Sequence, residues 1–262
     1  MVKKRLVPKI LVQLQPMGGG EVPVMVTTRA FDAPRRVGSP ASQARIFESQ
    51  MADELIVLNI DRRPLEAGNA MLALIEDLAS ETFMPLTIGG GVTRLQDFDL
   101  LLGHGADKVA LTTQALAQPG LIGAAARTFG AQCVVVGLDV LSTPDGPRVT
   151  SERGRTVHPL SPLDWARQAV SEGAGELLLT DVDRDGSGQG LNSDLCAEIT
   201  QAVDVPVILS GGAGLARHFS DGFLIGGAEG VAAGTFFALR DQNPMQARSH
   251  IANAGVSIRM LT

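Results

Sequence analysis

The sequence predicts a (β/α)8 barrel, the TIM-type α/β fold, built from two similar half-barrels. Short apolar runs rich in β-branched residues alternate eight times with amphipathic helical stretches. Several runs, such as CVVVGLDV and VPVILS, are apolar throughout, as parallel strands covered by helices require. Three segments also recur in the second half, in the same order and at nearly constant spacing. DELIVLNID (53–61) is echoed by GELLLTDVD (175–183), PLTIGGG (85–91) by PVILSGGAG (206–214), and GADKVALTT (105–113) by GAEGVAAGT (227–235). A repeat of half the chain is too long for a solenoid unit and suits a duplicated half-domain, with halves of roughly 1–130 and 131–262. At 262 residues the chain fits one barrel domain. An open doubly wound sheet gives the repeat no natural place.

In chain order, strands are expected near 5–12, 54–59, 86–89, 108–111, 132–139, 176–181, 207–210 and 230–233. Helices are expected over 39–51, where Ser39 and Pro40 supply a cap and a first position, and over 68–80, 94–103, 114–129, 162–173, 193–203 and 215–222. A last helix, 243–255, is expected to cover the outside. Two long connections, 13–38 and 141–161, follow strand C-terminal ends, the side where barrels build active sites, and are candidate mobile lids or plain surface loops. Trp165 lies on an amphipathic helix as a packing residue outside the barrel. His104 and His250 are expected exposed on helices, and His158 falls inside a candidate site loop.

Hydrophobic residues make up 45% of the chain, enough for a large core, yet no apolar run is long enough to span a bilayer. The start, MVKKRLVPKI, lacks the apolar stretch of a signal peptide. Cys133 and Cys196 fall in a strand and a helix pattern without metal-ligand spacing, which suits buried thiols in a reducing cytoplasm. A net charge of −6 argues against a nucleic-acid surface, but not against a phosphorylated small molecule, which backbone N–H groups can hold locally.

The glycine runs are where such phosphates would sit. Gly211 and Gly212 follow the seventh strand, and Gly234 and Thr235 follow the eighth. Gly90 and Gly91 pair with Thr112 and Thr113 in the first half. Two cradles on opposite sides of one mouth imply a substrate with a phosphate at each end. Asp139 ends strand five, where a partly desolvated carboxylate acts as acid or base or else anchors a loop. Asp181, Asp183 and Asp185 cluster after strand six, but no resident metal and no cofactor are expected. Asp61, Thr180, Asp185 and Gly186 are candidate substrate contacts. Arg5, Glu54, Lys108 and Glu176 begin four strands, so they converge as a ring of ion pairs at the N-terminal face. Residues alone favour a stabilising plug there.

The motifs KRLVP, ADELIVLNID, PLTIGGGV, GADKVALTT, FGAQCVVVGLD, DWARQAV, GAGELLLT, DRDG and PVILSGGAG, in that order, resemble the cyclase subunit of imidazole glycerol phosphate synthase over nearly the whole length. The resemblance implies a barrel bound at its base to a HisH-like glutaminase, which passes ammonia through the barrel to a bisphosphate at the top. It makes Arg5, Glu54, Lys108 and Glu176 an ammonia gate, and Asp139 the second of two catalytic aspartates. The phosphate loops match, with Gly234 where serine is usual.

The departures bear on the reaction. Leu11 stands where the family has its first catalytic aspartate, in PKILVQLQ rather than PCLDV, and leucine exchanges no proton. Gln13 or Gln15 is a candidate substitute, though neither is an equivalent acid. Thr27 falls where a phosphate-contacting lysine is expected, and His158 and Pro159 replace a threonine and glycine. A related branch, the cyclase-like proteins of surface-polysaccharide clusters, has leucine at that first-strand position. FMPLTIGGG, AAGTFF and ARSHIANAGVSIR also resemble that branch, whose members look like ammonia-supplying partners in sugar amidation. The favoured expectation is such a divergent paralogue, with the histidine-pathway cyclase as the alternative. The phosphosugar isomerase of the same pathway is a third reading that does not need the basal ring.

Overall fold

A computed structural model describes residues 3–61, 63–66, 68–240 and 242–259; the outermost residues of the expected domain, 1–2 and 260–262, lie outside them. The chain opens with three strands, β1 (Arg5–Met17), β2 (Gly20–Arg29) and β3 (Asp32–Gly38), then α1 (Pro40–Ser49). The regular alternation follows: β4 (Leu55–Asn59), α2 (Ala70–Glu81), β5 (Leu86–Gly89), α3 (Leu95–Gly103), β6 (Lys108–Leu111), α4 (Thr113–Ala117) and α5 (Gly120–Phe129). The second half runs β7 (Val134–Thr143), β8 (Gly146–Ser151), β9 (Thr156–Val157), α6 (Pro162–Glu172), β10 (Glu176–Asp181), α7 (Ser193–Thr200), β11 (Val207–Ser210), α8 (Ala216–Leu224), β12 (Gly230–Ala233), α9 (Thr235–Leu239) and α10 (Pro244–Asn253).

Eight of these strands close a parallel barrel in the order β1, β4, β5, β6, β7, β10, β11, β12 and back to β1. The expected (β/α)8 class is therefore the observed one. Local chemistry sets the helix ends as read from the sequence: Ser39 accepts from the Ser42 N–H with Pro40 following, and Ser161 caps α6 through the Asp164 N–H. The helix expected over 114–129 is two helices, because Pro119 has no N–H to continue the first and biases Gln118 out of the helical region. Cys133 sits half-buried in a 3₁₀ turn, not in the strand; Cys196 is buried on α7. His104 is half-buried at the end of α3, where its ring bonds the Leu100 carbonyl, whereas His250 is exposed.

Apolar packing occurs in two layers. The larger layer fills the space between strands and helices and includes Trp165, which is 1% exposed. The smaller lies inside the barrel and consists of Val7, Ile56, Ala110, Val135, Leu178, Ile208 and Ala232. Each large aliphatic side chain there contributes about 1.5–3 kcal/mol by leaving water.

The two long connections are not loops. β1 and β7 continue past the barrel wall, and each folds back as an antiparallel ribbon with β2–β3 or β8–β9. The β2–β3 hairpin turns on Ala30 and Phe31, both in the left-handed region (φ 48° and 60°), and the β8–β9 turn puts Glu152 and Arg153 there (φ 52° and 63°). These are the conformations of tight hairpin turns, normally given to Asn or Gly. Ala30 is exposed, so Ala30→Asn should raise stability by about 1 kcal/mol by relieving its left-handed penalty. Urea denaturation measures this, and an unchanged midpoint would mean that the turn carries no such strain.

Candidate functional site

Inward-facing residues on β1 alternate as Arg5, Val7, Lys9 and Leu11, and this column samples every layer of the barrel. At the base, Arg5 Nη1 donates to Glu54 Oε2 at 2.6 Å and Arg5 Nη2 to Glu176. Lys108 Nζ donates to Glu54 Oε1 at 2.9 Å and to Glu176 Oε2 at 2.8 Å. The four side chains thus form a closed circuit across strands β1, β4, β6 and β10. Burial pushes Glu54 up, but Lys108 and Arg5, with hydrogen bonds from Lys108 and Thr87, outweigh it and hold its carboxyl below the usual range. Above the ring stands the inner apolar layer.

The layer opens onto a cavity of about 500 Å³ at the C-terminal ends of the strands. Its lining includes Leu11, Asp61, Gly90, Gly91, Thr112, Thr113, Asp139 and Thr180, all singled out in the sequence. Gly90 has φ 96°, and a Cβ there would stand 1.9 Å from the Asn59 carbonyl oxygen, so only glycine lets the loop lie against the end of β4. Gly211 repeats the arrangement in the second half, with φ 91° and the Asp181 carbonyl oxygen 2.4 Å from a Cβ.

The second candidate cradle does not share the main cavity. Asp185, Gly186, Gly211, Gly212, Gly234 and Thr235 line a separate, much smaller pocket. The β2–β3 ribbon closes on the loop after β10: Thr28 Oγ1 donates to Asp185 Oδ2 at 2.8 Å and the Ala30 N–H to the Asp185 carbonyl at 3.0 Å. The smaller pocket is thus the more closed of the two, with the β2–β3 ribbon packed beside it. The other ribbon also reaches inward. Arg153 Nη2 donates to the Phe31 carbonyl at 2.7 Å, and the Glu152 N–H to Thr113 Oγ1 at 3.2 Å, so the ribbon tips meet over the mouth.

The three clustered carboxylates diverge. Asp181 accepts from Asn192 Nδ2 at 2.7 Å and from the Arg184 N–H, Asp183 from the Ser142 N–H, and Asp185 from Thr28. Among the described residues no group of His, Cys, Asp and Glu has the arrangement of a metal site. Asp61 Oδ2 is held by the Leu14 N–H at 2.7 Å. His158 turns to Ser151 Oγ at 2.8 Å and does not line the cavity; nor do Gln13 and Gln15.

Lys9 escaped the sequence reading, although period-2 alternation from Arg5 would have placed it on the inward face. It is 4% exposed, donates from Nζ to Ser210 Oγ at 2.8 Å, and lies 3.9 Å from Asp185 Oδ1. Asp139 is half-buried and reached by the cavity on one side. Burial pushes its carboxyl up to about 7, Lys9 draws it down, and Asp185 adds to the rise. A carboxyl poised there can take or give a proton at neutral pH.

This geometry has relatives. Residues 17–242 match the histidine biosynthesis protein family. The chain belongs to that family. Its HisF-type relatives match end to end. It is 44% identical over 261 residues to the Prochlorococcus marinus protein named "Putative imidazole glycerol phosphate synthase subunit hisF2", covering 99% of each chain. It is 36% and 37% identical to the proteins named imidazole glycerol phosphate synthase subunit HisF of Chlorobium limicola and Anoxybacillus flavithermus, covering 99% of this chain and 100% of each relative.

The elevated Asp139 value has a stability consequence. Between the ordinary value of 3.8 and about 7 the folded protein binds this proton more tightly than the unfolded chain, so stability falls as pH rises through that window. Asp139→Asn should match the wild type in stability at pH 4 and exceed it at pH 8, by a few kcal/mol at most. Urea denaturation at both pH values tests it; equal stabilities at pH 8 would mean that the carboxylate is not desolvated.

Proposed function

We propose that this protein is the synthase subunit of a glutamine amidotransferase complex. A glutaminase docks on the N-terminal face, the barrel interior conducts ammonia, and a phosphorylated small molecule receives it in the cavity. The observation that carries this reading is the closed ring of Arg5, Glu54, Lys108 and Glu176 beneath an apolar column that leads to Asp139. Buried ion pairs add little stability over apolar packing of the same volume, so a pure plug would not need four charges. Phe83 is 95% exposed just before β5, and Met51 and Ile225 are exposed just before β4 and β12, which supports docking on the same face.

Asp139 is the acid–base residue of this reading. Gly90, Gly91, Thr112 and Thr113 hold one phosphate; Gly211, Gly212, Gly234 and Thr235 form a second cradle that opens when the β2–β3 ribbon lifts. Asp61, Thr180, Asp185 and Gly186 contact substrate. The chain acts as one domain of two half-barrels in the cytoplasm. Leu11 lines the cavity where a second carboxylate would complete a proton-transfer pair, which supports a divergent paralogue serving sugar amidation in polysaccharide synthesis. The full-length similarity to HisF proteins supports the second reading, the cyclase subunit of imidazole glycerol phosphate synthase.

Ammonia-dependent conversion of the histidine-pathway bisphosphate by the purified protein and by Leu11→Asp separates the two. The paralogue reading expects no wild-type turnover and measurable turnover by the variant; ready wild-type turnover would make the protein a cyclase. Lys108→Met breaks the ring and leaves Glu54 and Glu176 sharing Arg5. It should cost about 2–3 kcal/mol, the low side for a buried pair because Lys108 is part-exposed. With the glutaminase bound it should also consume more glutamine per product formed. Unchanged coupling would argue for a plug.

A further inference from the structure

Lys9 is a cation that neither the barrel nor its basal ring requires. Among the described residues it alone lines both the main cavity and the smaller pocket beside it. Its ammonium has three protons to donate, and among the described residues its hydrogen bond goes to one hydroxyl, Ser210 Oγ. Asp185 Oδ1, at 3.9 Å, balances charge from beyond hydrogen-bond reach. The same cavity wall carries Asp139, and Gly90, Gly91, Thr112 and Thr113 line the cavity as an anion cradle. An amine, a proton-transferring carboxyl and an anion cradle around one cavity are the parts that carbonyl condensation uses.

The chain uses lysine sparingly: Lys3, Lys4, Lys9 and Lys108 are its four lysines, and arginine supplies its other side-chain cations. Lys108 is committed to the basal ring, and Lys4 Nζ to the carbonyls of Gly227 and Ala228. Arginine at position 9 would supply the same charge with a fork of donors, but it cannot attack a carbonyl. Only lysine provides a primary amine.

We infer that Lys9 Nζ condenses with the carbonyl of a phosphorylated sugar or keto compound in the main cavity, forming an imine that ammonia then displaces. This rests on the reading of the cavity as a site for a phosphorylated ammonia acceptor. The Asp139 carboxylate first takes a proton from the Lys9 ammonium. The free amine adds to the carbonyl carbon, its proton passes to the oxygen, and a carbinolamine forms. Asp139 returns its proton to that hydroxyl, the C–O bond breaks, water leaves, and a protonated imine remains on Nζ. Ammonia adds to the imine carbon, a proton moves from the incoming nitrogen to Nζ, and the C–Nζ bond breaks. Lys9 is released as the amine and the substrate leaves as its own protonated imine. No electrons are gained or lost; the carbonyl oxygen ends in water and the ammonia nitrogen takes its place. The protonated imine is a stronger electrophile than the carbonyl, which compensates for the carboxylate missing at Leu11.

The test is reductive trapping on the intact protein, without ammonia and without a partner, using dihydroxyacetone phosphate as the phosphorylated carbonyl and cyanoborohydride as the trap. One adduct per chain on the Lys9 peptide is expected, reduced about tenfold by inorganic phosphate at roughly ten times its Kd. Lys9→Arg, checked by circular dichroism and accompanied by Lys9→Met, should give no adduct at position 9. Adducts confined to Lys3, Lys4, Lys108 or the N-terminal amine, or a Lys9 adduct indifferent to phosphate, would overturn the inference. Calorimetry of dihydroxyacetone phosphate binding runs beside the trap. Binding without trapping overturns the imine while sparing the phosphorylated-substrate reading, whereas no binding overturns both.

Discussion

The four-charge circuit at the base is the constraint on which the rest of the barrel depends. Glu54 and Glu176 are nearly inaccessible to water, and such carboxylates stay ionised only if cations lie against them. Each glutamate has two cations and each cation has two glutamates, so the loss of any member leaves both of its neighbours sharing the one partner that remains. The circuit ties four of the eight strands together at one level. Because side chains alternate strictly along a strand, it also fixes which residues face inward at every level above it. Arg5 at the base thereby places Val7 in the apolar layer, Lys9 above that layer and Leu11 in the mouth.

The barrel was legible because its strands need no partner information to be recognised: VVVGLD, ELLLTD and VILS are too apolar to be anything but covered. The basal ring was legible for the same reason, as a charge opening a buried run must be answered. The ribbons were not. QLQPMGGGEVPVM carries the prolines and glycines of a loop, and the turns fall on Ala-Phe and Glu-Arg, which lack the Asn-Gly signal that marks a tight hairpin. The glycine loops at the mouth were legible as glycine runs, but how open the space beside each one is depends on a ribbon packed from far along the chain, which local pattern does not reveal. Lys9 was not legible because a single lysine in the run PKILV reads as a solvated charge until the register of the strand fixes its inward face.

Leu11 and Lys9 together change the character of the mouth. An aspartate at the end of β1 would face Asp139 as an acid facing an acid, each raising the other's proton affinity. With an aliphatic side chain there and an amine below it, Asp139 has a cationic neighbour instead. Burial and Asp185 raise its proton affinity, Lys9 lowers it, and the balance leaves it close to neutrality.

The β2–β3 ribbon has one more property. Among the described residues β3 pairs with β2 alone, so its outer edge presents unpaired backbone groups to solvent. Such an edge is a template for strand addition by a neighbouring molecule. Asp32, Pro34, Arg35 and Arg36 lie along it, all exposed. The proline removes a donor, and the paired arginines repel an identical strand. The wing that narrows the mouth is thus guarded against pairing with a copy of itself.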